Sequence, residues 1–313
     1  MRPNVSSWAE YRNRRNDPDT FWTRLNERRQ MAIFLPGDVA PQEIRDCLHE
    51  EIAQALGPVN DLYRLNDSIF NDDNFHTVLT GYDMLILRTH YDSALASGMS
   101  EAEVAARLPA ILARLNPAGG RRAIAPRGRP EAQWTNAINE ATSLGASRNR
   151  RIGAAERAVS LARASGSKTQ LALSYYWLGR LSVAADPDVA INAFRTAGQL
   201  YGETPDTAIQ AAHVALQLAA FNLSAGRAEV ARTLVDRNLA VTRRAEHGAL
   251  LSLLLLVKAE ALLVEGRASD ARRTRSEALA WGRYGFGNDG EVRERAAEIT
   301  AISPRSRRPG GAV

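Results

Sequence analysis

Apolar residues recur every three to four positions along most of this chain, which is the spacing of amphipathic helices. This pattern predicts helices at about 41–56, 80–92 and 101–115, whereas the short apolar run 31–35 predicts a buried or edge strand. The apolar stripe of the first helix consists of Ile44, Leu48, Ile52 and Ala55. The first third of the chain is therefore expected to be α+β, with few strands.

Residues 131–300 have helical periodicity almost throughout, and their pattern repeats. The motif G-R-A-E-V-A at 226–231 returns as G-R-A-S-D-A at 266–271, a period of 40 residues. Small residues at such fixed positions let paired helices approach closely, and each pair needs its neighbour to bury its apolar face. We expect antiparallel hairpins at 131–165, 166–203, 206–245 and 248–284. The whole protein should be mainly helical.

These hairpins resemble tetratricopeptide repeats, both in their A-x-x-x-[apolar]-x-x-A spacing and in the residues Tyr175, Trp177, Leu178 and Gly179. The resemblance implies a surface that binds a protein or peptide partner. Candidate partner-binding residues are Tyr175, Trp177 and Arg180. An arginine-lined surface would favour an acidic partner.

Polar side chains that can bind a ligand or take part in a reaction lie beside the apolar stripe of the first predicted helix. Cys47, Glu50, Glu51 and Gln54 fall on the neighbouring face of a 3.6-residue helix. Two carboxylates, an amide and a thiol are thus predicted to share one surface patch.

The spacing of this segment, E-E-x-x-Q-x-x-G-x-x-N-D from residue 50, resembles the metzincin zinc signature H-E-x-x-H-x-x-G-x-x-H-[DE]. The resemblance places Glu50, Gln54 and Asn60 at the three ligand positions, and Glu51 at the position of the general base. The sequence S-I-F-N-D at 68–72 resembles the Met-turn, and residues 79–92 resemble the closing helix of matrix metalloproteinases. The resemblance implies a truncated zincin-like domain.

The amides Gln54 and Asn60 are weak zinc donors compared with imidazole. Three interpretations therefore stay open, namely a structural polar network, an unusual metal or hydrolytic site, and another kind of binding site. No cofactor is firmly predicted, although a metal ion is possible. Further candidate site residues are Cys47, Asp61, Asp72 and His76.

Two segments also resemble the proteobacterial domain of unknown function 2927. They are C-L-H-E-E-I-A-Q-A-L-G-P-V-N-D-L at 47–62 and S-I-F-N-D-D-N-F-H at 68–76. This resemblance covers roughly residues 8–120. It implies a zincin-like shape with no established activity.

Charge and composition change little in this picture. The net charge is +5, but only two of the 40 basic residues are lysines, a bias typical of GC-rich bacterial genomes. The charge is therefore weak evidence for nucleic-acid binding, and we predict none. Cys47 is the only cysteine, so no intrachain disulfide forms, and a buried thiol is the simplest interpretation.

The sequence contains no apolar run of 18 residues and no apolar signal core near residue 1. We therefore expect no membrane span and, for the sequence as written, a cytoplasmic protein. A true start further upstream would permit a periplasmic or secreted protein instead.

The predicted organisation has four parts. A zincin-like domain occupies residues 1–117, and a glycine-, proline- and arginine-rich linker follows at 118–130. A helical repeat domain occupies 131–300 and a disordered tail 301–313. The sequence contains no P-loop, dinucleotide fingerprint or G-x-S-x-G motif.

Two functions remain at this point. The first is a metzincin-like domain with degenerate ligands and no peptidase activity, joined to a protein-binding helical repeat. The alternative is a metal-dependent hydrolase or peptidase that uses Glu51 as its general base.

Overall fold

The computed structural model describes residues 33, 35–57, 62–71, 73–119 and 132–307. Within these ranges the protein forms twelve α-helices, a short 3₁₀ helix at Pro304–Arg307 and no strand. The prediction of a mainly helical protein is confirmed. The α-helices are α1 Pro41–Ala55, α2 Gly81–His90, α3 Glu101–Leu115, α4 Ala132–Thr142, α5 Arg148–Ser165, α6 Lys168–Ser182, α7 Pro187–Gly202, α8 Ala208–Ser224, α9 Ala228–Arg244, α10 Gly248–Val264, α11 Ala268–Phe286 and α12 Asp289–Ile302.

The α+β character expected of the first third is not found in the described residues. Of the predicted strand 31–35, only Ile33 and Leu35 are described, and neither lies in a strand. The predicted helices correspond to α1, α2 and α3, and α3 begins with the capping box of Ser100 and Glu103. In the described part of the chain, no helix combines the length and apolar composition needed to cross a bilayer.

Helices α4 to α11 form four consecutive hairpins, which we call the array. The hairpins pair α4 with α5, α6 with α7, α8 with α9 and α10 with α11, and each helix also packs against the next along the chain. Short turns join the members of each pair, so the members run antiparallel. We call α4, α6, α8 and α10 the first helices.

The repeated G-R-A motif builds the same turn twice. Gly226 and Gly266 follow the first helices α8 and α10 with φ of 75° and 77°, a conformation that a β-carbon disfavours. In both turns, the N–H of the next arginine donates to a carbonyl of the preceding helix at 2.8 Å. The same turn conformation and the same hydrogen bond therefore recur after 40 residues.

Residues 301–307 differ from the predicted disordered tail 301–313, of which 308–313 lie outside the described residues. Helix α12 packs against α10 and α11 and continues to Ile302. Ser303, which follows it, has no exposed surface, and the 3₁₀ helix comes next. Residues 301–307 therefore belong to the folded part, because α12 covers the apolar surface of the last hairpin.

Helices α10 and α11 approach each other closely at Gly285. A β-carbon on Gly285 would stand 2.4 Å from the backbone nitrogen of Ala249 and 2.5 Å from its Cα. Backbone atoms cannot move aside as a flexible side chain does. The contact therefore requires glycine at 285.

We predict that Gly285→Ala destabilises the protein by about 2 kcal/mol or more, because the added methyl group forces α10 and α11 apart. The matched control is Gly202→Ala at the end of α7, where a β-carbon meets no atom within 4 Å. That change should be neutral or stabilising by up to about 1 kcal/mol. Thermal denaturation followed by circular dichroism measures both, and equal effects of the two changes would contradict the close approach.

Candidate functional site

The apolar stripe predicted for α1 is not the face that the helix buries. Ile52 is 46% exposed, whereas Cys47 and Glu51, one turn apart, are buried. Ala53 packs into a small hydrophobic cluster with residues of the following loop and α2, while another part of α1 contacts α11. Because α1 is packed on two sides, no single stripe describes its burial. The four polar residues therefore do not share one surface patch. Cys47 and Glu51 are buried, whereas Glu50 and Gln54 remain partly exposed.

The proposed metal ligands are only partly described. Glu50 and Gln54 are half-buried on α1 and Glu51 is 3% exposed, while Asn60, Asp61 and Asp72 lie outside the described residues. Among the described residues, no group of three or more His, Cys, Asp or Glu side chains is arranged to hold a metal ion. The convergence of Gln54 with Asn60 therefore stays a prediction.

The segment at 68–72, which resembles a Met-turn, is bound by α2. Asp83 of α2 has no exposed surface, and its carboxylate accepts hydrogen bonds from Ser68 Oγ at 2.5 Å and from the N–H of Ile69 at 3.0 Å. The N–H of Thr80 donates to the same carboxylate at 2.8 Å, as part of a capping box. Asp83 therefore fixes the loop to the first turn of α2.

Residues 62–71 and 73–78, which we call the docked segment, form neither helix nor strand and lie against the array. Two aromatic side chains anchor this segment. Tyr63 makes an edge contact with Trp134 of α4, with ring centroids 5.2 Å apart. Phe75 is 4% exposed and packs on Tyr176 of α6 at 5.2 Å and on His213 of α8 at 4.7 Å. Both anchors join the main hydrophobic core of the array.

A buried amide of the array binds the backbone of the docked segment. Gln210 of α8 is 1% exposed, and its Nε2 donates to the carbonyl of Asn66 at 2.8 Å. The same nitrogen lies 3.4 Å from a carboxylate oxygen of Asp73. Since an unpaired buried carbonyl is costly, Gln210 stabilises the docked position.

Helix α1 and the end of the docked segment bind the turn before α10. Gln42 Oε1 accepts the N–H of Ala249 at 2.8 Å, and Gln42 Nε2 lies 3.2 Å from His247 Nδ1. Arg45 donates to the carbonyl of Glu246 at 2.9 Å, and Thr77 Oγ1 donates to the carbonyl of the preceding residue at 3.3 Å. We call the contacts of α1 and the docked segment with the array the junction.

The comparisons with known proteins bear on one side of this junction. Residues 3–110 match the family model described as Protein of unknown function (DUF2927). The chain contains a DUF2927 domain. No curated protein and no solved structure matches the chain. The match includes α1, α2 and the docked segment, and it ends within α3, so the junction joins the DUF2927 domain to helices outside the match.

Burial at the junction shifts three pKa values. Burial first, and then the nearby Arg45, lower the pKa of His247 to about 4. Burial and the neighbouring His247 hold the pKa of His213 well below its ordinary value. Burial raises the pKa of Asp46 on α1 to about 6, although hydrogen bonds from Arg45 and Gln42 oppose this shift. Both imidazoles are therefore neutral at pH 7.

The predicted partner-binding residues separate into two places. Arg180 lies over the rings of Trp177 and Tyr176 at 5.9 Å, and it donates to Tyr176 Oη at 3.1 Å. Tyr175 instead accepts a hydrogen bond from Arg163 of α5 at 2.5 Å. Trp177 and Arg180 are thus brought together, and Tyr176 stands between them and the DUF2927 domain.

A cleft of about 420 Å³ opens beside the docked segment. His76, 3.4 Å from the carboxylate of Asp67, lines one wall, and Arg244 at the end of α9 lines the other. Arg244 has no ion-pair partner within the described ranges. Thus His76 lies at the junction, where it faces the array.

The residues that the sequence analysis missed are those of the junction, namely Gln42, Gln210, His213 and His247. A usable feature existed in α8, where Gln210 and His213 interrupt the apolar sequence A-I-Q-A-A-H-V-A-L at helical spacing. Polar residues on a buried helix face require partners. The sequence does not show which residues those partners are.

We predict that Phe75→Ala destabilises the protein by about 3–5 kcal/mol, because it removes a buried ring that the array surrounds. The control, Ile52→Ala on the exposed side of the DUF2927 domain, should change stability by about 0.5 kcal/mol or less. Chemical denaturation of the whole chain measures both changes. A Phe75→Ala effect as small as the control would show that the segment is not docked in solution.

For metal content, we expect protein purified without added metal to contain no stoichiometric zinc, since two of the three ligand positions hold weakly donating amides. Elemental analysis checks this, with Glu51→Gln as the companion variant. Stoichiometric zinc, with a peptidase activity that Glu51→Gln abolishes, would establish the hydrolase alternative instead.

Proposed function

We propose that this chain is a binding protein, in which a helical array holds extended protein segments on its first helices. We further propose that its DUF2927 domain is metzincin-like, with degenerate metal ligands and no peptidase activity. The observation that supports the binding function best is the docked segment itself. It contacts α4, α6 and α8, and it reaches the turn that begins α10.

The docked segment is bound in the manner of a peptide ligand. Tyr63 and Phe75 serve as aromatic anchors, and Gln210 binds the main chain between them. Aromatic anchors in well-packed sites commonly supply most of the energy of such contacts, and main-chain hydrogen bonds fix the register. Each first helix contributes a different contact, which suits an extended ligand better than a helical one.

The charge near the first helices supports an acidic partner. Arg180 lies at the aromatic pair Tyr176 and Trp177, and Arg244 lines the cleft beside the docked segment. A guanidinium without an ion pair can bind a carboxylate in bidentate geometry. A partner segment with an acidic residue next to its aromatic anchor would therefore bind better than a neutral one.

Three features support an inactive DUF2927 domain. Glu51, the proposed base, is 3% exposed, whereas a general base must reach substrate or water. Gln54 is an amide at a position where zinc peptidases carry imidazole. Finally, α1 binds the array through Gln42 and Arg45, which gives the helix a structural role.

A labelled synthetic peptide of residues 62–78 tests the binding function. The receptor is the full chain with Tyr63→Ala and Phe75→Ala, which weaken the internal contact and leave the first helices unchanged. We expect this variant to bind the peptide at least about tenfold more tightly than the unmodified chain, whose own segment competes at high effective concentration. Fluorescence anisotropy measures the binding.

Two controls make the result specific. A peptide with Phe75→Ala should bind weakly, and the receptor should lose affinity when Gln210→Leu is added, because Leu cannot donate to the peptide carbonyl. Equal binding of both peptides, or no binding to the double variant while it remains folded, would refute a segment-binding array.

A further inference from the structure

Three histidines from different elements lie close to one another at the junction. His76 belongs to the docked segment, His213 to α8, and His247 caps the first turn of α10. The rings of His213 and His247 are 5.0 Å apart, and His213 also packs on Phe75. His76 Nδ1 and His213 Nε2 are buried and accept or donate no hydrogen bond within the described structure.

The hydrogen bonds of His247 require its neutral form. Gln42 Oε1 accepts the N–H of Ala249, so Gln42 Nε2 is the end that faces His247 Nδ1 and must donate to it. The N–H of Leu250 donates to the same Nδ1 at 3.3 Å. A proton on Nδ1 would remove both hydrogen bonds, one of which joins α1 to the array.

The surrounding charges also oppose an imidazolium. Arg45 from α1 acts on the ring of His247, Arg180 from α6 acts on the ring of His213, and the imidazole of His76 lies near both rings. The acidic groups are already engaged. These are Glu246 and Asp46, which pair with Arg45, Asp73, which faces Gln210, and Asp67, which lies beside His76.

We propose that protonation of His213 and His247 opens the junction and releases the docked segment from the first helices. Acidification would place two buried positive charges beside two arginines and break the Gln42 contact. Separation of the DUF2927 domain from the array lets water solvate these charges. This device concerns the contact itself, and it stands whether or not a partner uses the exposed first helices.

The sign of the pH dependence follows from the pKa shifts. Histidines with lowered pKa values favour the docked state at neutral pH, and this contribution is lost as the pH falls from about 6.5 towards 4. Asp46 acts in the opposite direction, because its raised pKa favours the docked state once it is protonated below about pH 6.

Linkage gives the size of the effect. Between pH 7.5 and 5, His247 should weaken docking by about 25-fold and Asp46 should strengthen it by about tenfold, while the lowered pKa of His213 adds to the loss. The net expectation is a loss of roughly 10- to 100-fold in the docking equilibrium. Outside the pH 4–7 window the dependence should be small.

Hydrogen exchange of the full chain, corrected for the intrinsic pH dependence of amide exchange, measures this equilibrium. Amides of 62–78 should lose protection roughly 10- to 100-fold between pH 7.5 and 5. Amides of α5, on the side of the array away from these contacts, should keep theirs. Constant protection of 62–78 down to pH 5 would overturn the proposal, as would an equal loss in α5.

The matched variant is His213→Gln with His247→Asn, which keeps polar side chains of similar size that do not titrate. The asparagine oxygen can still accept the N–H of Leu250. We expect protection of 62–78 that no longer falls on acidification and instead rises by up to about tenfold, because the opposing effect of Asp46 remains. An unchanged loss of protection in this variant would assign the effect to other groups.

A single variant covers the case in which the double variant fails to dock. His247→Asn alone should reduce the pH-dependent loss by about 25-fold. Independently, NMR of the ring nitrogens in the unmodified chain should show His213 and His247 neutral at pH 6 in the docked state. Imidazolium signals from either ring at pH 6 while 62–78 stays protected would contradict the mechanism.

Discussion

The docked segment has no regular secondary structure, yet much of it is buried, so its backbone polar groups must find partners outside a helix or sheet. Ser68 and Asn71 satisfy some of these groups from within the segment, and two buried side chains outside it satisfy others. Asp83 accepts the N–H of Ile69 from the side of α2, and Gln210 donates to the carbonyl of Asn66 from the side of α8. The rest of the arrangement depends on this constraint, because the segment is stable only while α2 and the array both hold it.

Much of the fold could be predicted from the sequence. The four hairpins lie where the periodicity and the repeated G-R-A motif placed them, because local backbone geometry determines those turns. The buried face of α1 was predicted wrongly, since its neighbours come from α2, from the following loop and from α11. The junction was not predicted at all. Its hydrogen bonds join residues as far as 207 positions apart, which periodicity does not report.

The candidate metal site shows the limit of motif spacing. The spacing identified α1, and α1 is indeed a helix that contributes to the junction, but it does so through Gln42 and Arg45 in its first half. Glu51, which the motif spacing places at the position of the general base, is buried. A helix whose residue spacing matches a catalytic motif can pack against other helices instead, because spacing fixes which residues share a face and not what that face meets.

The long sequence separation at the junction also has a consequence during synthesis. The docked segment leaves the ribosome well before α8, because Asn66 and its partner Gln210 lie 144 residues apart along the chain. At about 5–20 residues per second, the aromatic side chains of this segment wait roughly 7–30 s for α8. During that interval the nascent DUF2927 domain exposes aromatic side chains that the array later covers. Exposed apolar surface of this kind favours aggregation, so a chaperone that binds the segment would raise the yield of folded protein.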